Sequence, residues 1–179
     1  EQREHIWEYE RQGRALVIAP AKPVTVKHVE RDASKLLDLY IQGRVRAIGV
    51  SNFYPNILTN FCETVKIGPM VNQVELHPFF AQENALETMR HYGVVPEAWA
   101  PLGGGRYAPF ENETLLKIAA VHGKAVSQVM LRWNVQRGVV VIPKSTHRER
   151  IVQNLDIWDF SLTEEEMGQI SALDLGYAG

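Results

Sequence analysis

One cysteine, Cys62, stands in 179 residues, so no internal disulfide framework exists. No secretory apolar segment opens the chain either, and together these absences predict a reducing, cytoplasmic setting. Cys62 lies in a helical pattern with Leu58 and Phe61, which reads as a small buried hydrophobe rather than a nucleophile. No apolar run approaches the roughly 18 residues of a membrane helix. Basic and acidic residues nearly balance at a net charge of -2, and no basic cluster stands out, which argues against a nucleic-acid partner. No metal site is expected. Low-complexity tracts and long linkers are also missing. The first residue is Glu1 rather than Met, which leaves processing, trimming and a longer reading frame open.

What is there is an alternation of apolar strands and amphipathic helices. Glu1 to Gln12, with Ile6, Trp7 and Tyr9, predicts a helix ended by Gly13, and Ala15 to Ala19 a strand stopped by Pro20. Asp32 to Gln42 predicts a helix ended by Gly43. From Arg44 the pattern is regular. Strands are expected at Val45 to Val50, Val71 to Leu76, Val94 to Trp99 and Val139 to Ile142. Helices are expected at Asn56 to Val65, Glu83 to Tyr92, Glu113 to His122 and Val126 to Gln136. Val139-Val140-Val141-Ile142 is continuously apolar, the pattern of a strand buried on both faces. Capping boxes are expected at Thr146/Glu149 and Thr163/Glu166. Strands alternating with helices imply a parallel sheet. The fold class is α/β: about four β/α units, half of a TIM barrel, preceded by a small α+β segment. The organisation predicted is residues 1–43 as an N-terminal helix-strand-helix segment and 44–179 as the half barrel. Such a half barrel has two open sheet edges.

Four segments carry candidate chemistry. Pro143-Lys144-Ser145-Thr146 leaves a strand for the start of a helix, where free backbone N–H groups and the helix dipole favour an anion. Arg150 lies within reach, and its guanidinium fork suits a phosphate. The alternative is a plain capped helix with solvated charges. Gly49-Val50-Ser51-Asn52 ends a buried strand in a hydroxyl and an amide, suited to an amide ligand or to a simple turn. Asn72-Gln73 places polar groups in a buried strand, which require partners or a ligand. His77, before Pro78, reads as a turn residue. Trp99, at a strand end, would stack on a flat ring or pack in the core.

In this order and spacing, residues 44–174 resemble the second half of the aldo-keto reductases, in particular bacterial members related to diketogluconate reductases. The resemblance rests on Arg46 to Phe53, Asn72 to Pro78, Glu97 to Leu102, and Ile142 through Arg150 to Asn154. It implies the last four units of a TIM barrel and NADP(H) as cofactor. It assigns Ser51, Asn52 and Gln73 to the nicotinamide carboxamide and Trp99, where many relatives have Tyr, to stacking on the nicotinamide. Many relatives have Ser where Ala100 stands. Leu102 and Gly103, with the glycines that follow, match the loop over the pyrophosphate. Lys144, Ser145, Thr146 and Arg150 match the 2′-phosphate pocket, and Gln153 (often Glu elsewhere) and Asn154 the adenine contacts.

The catalytic Asp, Tyr, Lys and His of that family come from its first four strands, and no residue here matches them. Tyr54 and Tyr107 match no catalytic position. Glu8 to Pro20, Val29 to Asp32 and Lys35 to Tyr40 instead resemble, less specifically, the C-terminal segment of bacterial patatin-like phospholipases, without their nucleophile or aspartate. The expectation is an NADP(H)-binding portion of a carbonyl reductase that is inactive alone and takes a carbonyl substrate only when a catalytic half is supplied. The second reading is a non-catalytic NADP-binding or interaction module that pairs through its open sheet edges, two copies closing into a homodimer.

Overall fold

A computed structural model describes residues 16–19 and 35–176. The helix expected at Glu1 to Gln12, and the patatin-like stretches apart from residues 16–19 and 35–40, lie outside them. Strand β1 is Leu16–Ala19, and residues 35–41 form helix α1. Then follow β2 (Ala47–Ser51), α2 (Pro55–Thr64), β3 (Val71–Glu75), α3 (Glu83–His91) and β4 (Val95–Trp99). After two short 3-10 turns, Gly103–Gly105 and Pro109–Glu111, come α4 (Glu113–His122), α5 (Val126–Gln136), β5 (Val140–Val141), α6 (Arg148–Leu155) and α7 (Glu164–Ser171). From β2 onward this is the expected run of four strand-helix units, an α/β fold with the element order of a partial (β/α) barrel. The strands lie in the sheet in chain order, β1 to β5.

Packing divides the chain into two units, and the boundary cuts across β3 and β4: Glu1–Val74 with Asn84–Pro96, and Glu75–Glu83 with Glu97–Gly179. In the first, β1 pairs in parallel with β2, Leu16 opposite Ala47 and Ala19 opposite Val50. Strand β2 in turn pairs in parallel with β3, Gly49 opposite Val71 and Ser51 opposite Gln73. Val50, Leu58, Val74, Leu86 and Met89 form its buried core. Pro at the start of α2 fits a position whose N–H has no helical partner.

In the second unit β4 pairs in parallel with β5, Glu97 opposite Val140 and Ala98 opposite Val141. Its core is the helical stripe Val126, Val129, Met130 and Trp133 of α5, with Leu115, Ile118 and Ile170. All are apolar at helical spacing, as the sequence pattern implies. The Arg137 guanidinium lies 4.0 Å above the Trp133 ring and donates to the Ala81 carbonyl. Thr163 and Glu166 form the expected capping box at α7.

Three expectations fail here. Strand β5 is only two residues long, and it is not buried on both faces: Val140 is 45% and Ile142 47% exposed, although Val139 is buried. Among the described residues β5 pairs with β4 alone, and its apolar residues stay partly in water. The capping box at Thr146 and Glu149 does not form, because α6 begins one residue late, with His147 at its N-cap. The Ser145 hydroxyl takes the His147 N–H at 3.1 Å, a local bond that competes with the box. Cys62 is half-buried rather than buried, and burial first, then Glu63, pushes its thiol pKa up. Among the described residues no helix is long and apolar enough to cross a membrane, and no group of three or more His, Cys, Asp or Glu is placed to hold a metal ion.

Candidate functional site

In the first unit the ends of β2 and β3 bring Ser51, Asn52 and Gln73 together. Ser51 is buried, and its Oγ donates to the Gln73 carbonyl at 3.1 Å. The same carbonyl accepts from the Asn52 N–H at 2.8 Å. Asn52 sits at φ 57, the left-handed region that Asn tolerates better than most residues. The turn is anchored from beneath by Asn72, whose side chain is fully buried. Its Oδ1 accepts from Phe53 N–H at 3.3 Å and its Nδ2 donates to the Phe53 carbonyl at 2.7 Å. The polar residue that the sequence pattern required to find a partner thus finds two, both on one residue of the neighbouring strand exit. A separate polar groove between α2 and α3, lined by Thr59, Asn84, Glu87, Thr88, His91 and Tyr92, holds none of the predicted residues.

The second unit holds the other predicted residues. Trp99, half-buried, ends β4, directly after the residue that faces Val141 of β5. Leu102 is half-buried and Gly103 buried, at the start of the glycine turn. Chain then leaves β5 through Lys144 (exposed), Ser145 (half-buried) and Thr146 (exposed) to reach α6. Arg150 and Gln153 are exposed on that helix, while Asn154 is buried at 9% exposure. The strand therefore stops at Val141, and an irregular segment rather than the strand itself carries Lys144 and Ser145 to the helix. Trp99 at one strand exit, Lys144, Ser145 and Thr146 after the next and Arg150 on α6 offer an aromatic face, two cations and two hydroxyls, the kinds of group that a planar ring and a phosphate require.

Residues 103–108 have a demanding backbone. φ is positive at Gly103 (82), Gly104 (60) and Gly105 (82), and again at Tyr107 (67) and Ala108 (42). Glycine adopts this region freely, but a residue with a Cβ gives up about 1 kcal/mol or more. Tertiary contacts hold the loop in place. The Arg106 guanidinium pairs with the buried carboxylate of Glu75, and Tyr107 stacks on Phe79 with ring centroids 5.3 Å apart and planes 4° from parallel. His77 lies beneath, fully buried, with Nε2 3.3 Å from Glu75 Oε1. Burial dominates its titration and pushes its pKa below the ordinary histidine value, although Glu75 pulls the other way. Its Nδ1 has no hydrogen-bond partner among the described residues. Sequence reading placed His77 in a turn, and a two-residue turn does follow it, closed by mutual His77 and Phe80 backbone bonds. The buried Glu75 and His77, with the partly exposed Arg106, escaped it, because Arg106 is 31 residues from Glu75 and no local spacing links them.

A model described as the aldo/keto reductase family matches residues 5–175. The chain belongs to the aldo/keto reductase family. That match runs through the stretch read above as patatin-like, and no comparison supports the patatin resemblance. The chain is 50% identical over 145 residues to the 9,11-endoperoxide prostaglandin H2 reductase of Trypanosoma cruzi, covering 80% of this chain and 51% of that protein. It is 47% identical over 136 residues to the glyoxal reductase of Bacillus subtilis, covering 76% and 49%. The chain thus spans about half the length of the curated relatives it matches. Among solved structures, an aldo-keto reductase from a Medee basin deep-sea metagenome library superposes with a TM-score of 0.87 at 38% identity, covering 90% of this chain and 60% of that one. A Bombyx mori aldo-keto reductase in complex with NADP gives 0.81 at 32% identity, covering 90% and 57%.

Proposed function

We propose that this chain binds NADP(H) as the cofactor-holding portion of an aldo-keto reductase, the class that reduces carbonyls by hydride transfer from NADPH. The observation that carries the reading is the register of β4 and β5. Ala98 faces Val141, so Trp99 and the segment bearing Lys144 and Ser145 leave the sheet at neighbouring positions. Membership of the family, and a relative solved in complex with NADP, support it.

The donor set suits this cofactor. Ser51 spends its one hydrogen on Gln73, which leaves its oxygen lone pairs for the amide N–H groups of a carboxamide. Asn52 and Gln73 add amide donors and acceptors there. Trp99 stacks on the nicotinamide. Leu102 and Gly103 cover the pyrophosphate, and nothing lies within 4 Å of where a Cβ would stand on Gly105. Lys144, Ser145, Thr146 and Arg150 take the 2′-phosphate, with Gln153 and Asn154 at the adenine. NADP is favoured over NAD because exposed Lys144 and Arg150 have a doubly charged group to meet. The bound cofactor supplies the hydride. No residue of this chain is assigned as the acid for a carbonyl oxygen, so these 179 residues bind cofactor but do not turn over a carbonyl unless a complementary catalytic half is supplied. Residues 1–43 are the N-terminal segment and 44–179 the cofactor-binding one.

Titration with NADPH, followed by nicotinamide fluorescence and tryptophan quenching, tests this. Saturable binding is expected, weakened about tenfold or more in Arg150→Ala by loss of a charge-assisted contact. Aldehyde turnover by the chain alone would contradict the second half of the proposal.

A second reading is favoured by the exposed Val140 of the last strand and Ile142 just beyond it: a non-catalytic module that pairs with another copy through that edge. Sedimentation that stays monomeric at high concentration would remove it.

A further inference from the structure

This inference rests on the NADP(H) reading and concerns a residue outside the ligand-contacting set. We propose that Glu75 is a positioning residue: through Arg106 it fixes the glycine turn Gly103–Gly105 in the form that receives the cofactor's pyrophosphate. Glu75 ends β3, and its side chain is 5% exposed, whereas that of Arg106 is 40% exposed. A buried carboxylate requires a compensating charge. The guanidinium of Arg106 pairs directly with Glu75 and is a permanent cation, whereas burial lowers the pKa of the neighbouring His77 and disfavours its charged form.

Glu75 itself is firmly seated. Its backbone carbonyl accepts from the Gln82 amide, and its Oε1 lies 3.3 Å from His77 Nε2. The loop, by contrast, is locally unfavourable, with positive φ at five of the six residues from Gly103 to Ala108. A backbone of this kind persists only when its surroundings over-determine it. Arg106 is the one residue of the six with an ordinary φ, -105, and it is where the hold is applied. The next residue, Tyr107, stacks on Phe79, so charge and stacking fasten consecutive residues immediately after the glycines. Releasing Arg106 frees the C-terminal end of the glycine turn, and the pocket for the 2′-phosphate is untouched.

The test uses the full chain and four variants: Glu75→Gln, Arg106→Gln, the double variant and Arg106→Lys. Two ligands are titrated, NADPH and adenosine 2′-phosphate, which has the 2′-phosphate and adenine but no pyrophosphate. Hydrogen exchange of the peptide spanning 102–109 reports the loop without any ligand. The expected result is NADPH binding about tenfold weaker in each single neutralising variant, no further loss in the double, and unchanged binding of adenosine 2′-phosphate. Exchange over 103–108 should speed up, and Arg106→Lys should recover part of the affinity. Equal weakening for both ligands would mean a general structural role and overturn the proposal, as would unchanged NADPH binding with unchanged exchange. Arg106→Gln, at the more exposed partner, keeps the test open if Glu75→Gln does not fold. Wild-type protein that binds neither ligand would sink the cofactor reading itself. Wild-type binding with unaffected variants would sink only the role of Glu75.

Discussion

Asn72 is fully buried, and both ends of its amide go to Phe53. Asn72→Ala leaves a buried N–H and C=O without partners, which costs about 2 kcal/mol or more. Chemical denaturation should show a lower midpoint with little change in slope. Gly49 is a second such residue, for a different reason. A Cβ there would stand 2.8 Å from the Val71 carbonyl oxygen on the paired strand, closer than atoms approach, so Gly49→Ala must push β2 and β3 apart at a cost of about 1–3 kcal/mol. Sequence reading saw that Asn72 needed a partner, because polarity in an apolar strand is a local signal. It could not see which partner, since Phe53 is 19 residues away. The buried Glu75 and His77 escaped it for the same reason. Both stand in a motif that reads locally as strand end and turn.

Helices proved more legible than the strands. The boundaries of α4 and α5 coincide with those expected, because each has a long apolar stripe and a glycine just beyond its end. β5 did not follow expectation, since a four-residue apolar run carries no information about what covers it. The two capping boxes differ instructively. At Thr163 the hydroxyl accepts from Glu166 N–H at 3.2 Å and the Glu166 carboxylate accepts from Thr163 N–H at 2.7 Å. At Thr146 the neighbouring Ser145 captures the chain first. The α7 box also carries a pH dependence. Burial alone would raise the Glu166 carboxyl. The Thr163 N–H, the His122 ring 2.9 Å away and the Thr163 hydroxyl outweigh it and hold the group below the ordinary carboxylate range. A depressed folded pKa contributes stability that is present above the unfolded value, about 4.3, and lost as pH falls through the folded one. Thermal unfolding should therefore drop on acidification below that value, and Glu166→Gln should flatten part of the drop. Thr163→Ala should cost about 1 kcal/mol at neutral pH.

At the scale of the whole molecule, the parallel strand-helix succession was readable from periodicity alone, and the family from four short segments at the strand exits. The segment from 5 to 43 was not, because too few of its residues carry a specific pattern, yet the family model extends through it. The molecule also shows why a cofactor site can be read without a catalytic one. In each unit the residues proposed for the cofactor come from strand ends and the loops that follow, joined in the second unit by Arg150, Gln153 and Asn154 of α6, and strand ends are where a barrel of this kind carries its ligand contacts. The central claim is that these ends hold a phosphorylated dinucleotide. Calorimetric titration of the chain with NADPH and, separately, NADH tests it most directly. The two differ only in the 2′-phosphate assigned to Lys144, Ser145, Thr146 and Arg150. NADPH is predicted to bind at least about tenfold tighter, with the gap narrowing as salt is raised. Equal affinity for the two, or no saturable binding of either, would contradict it.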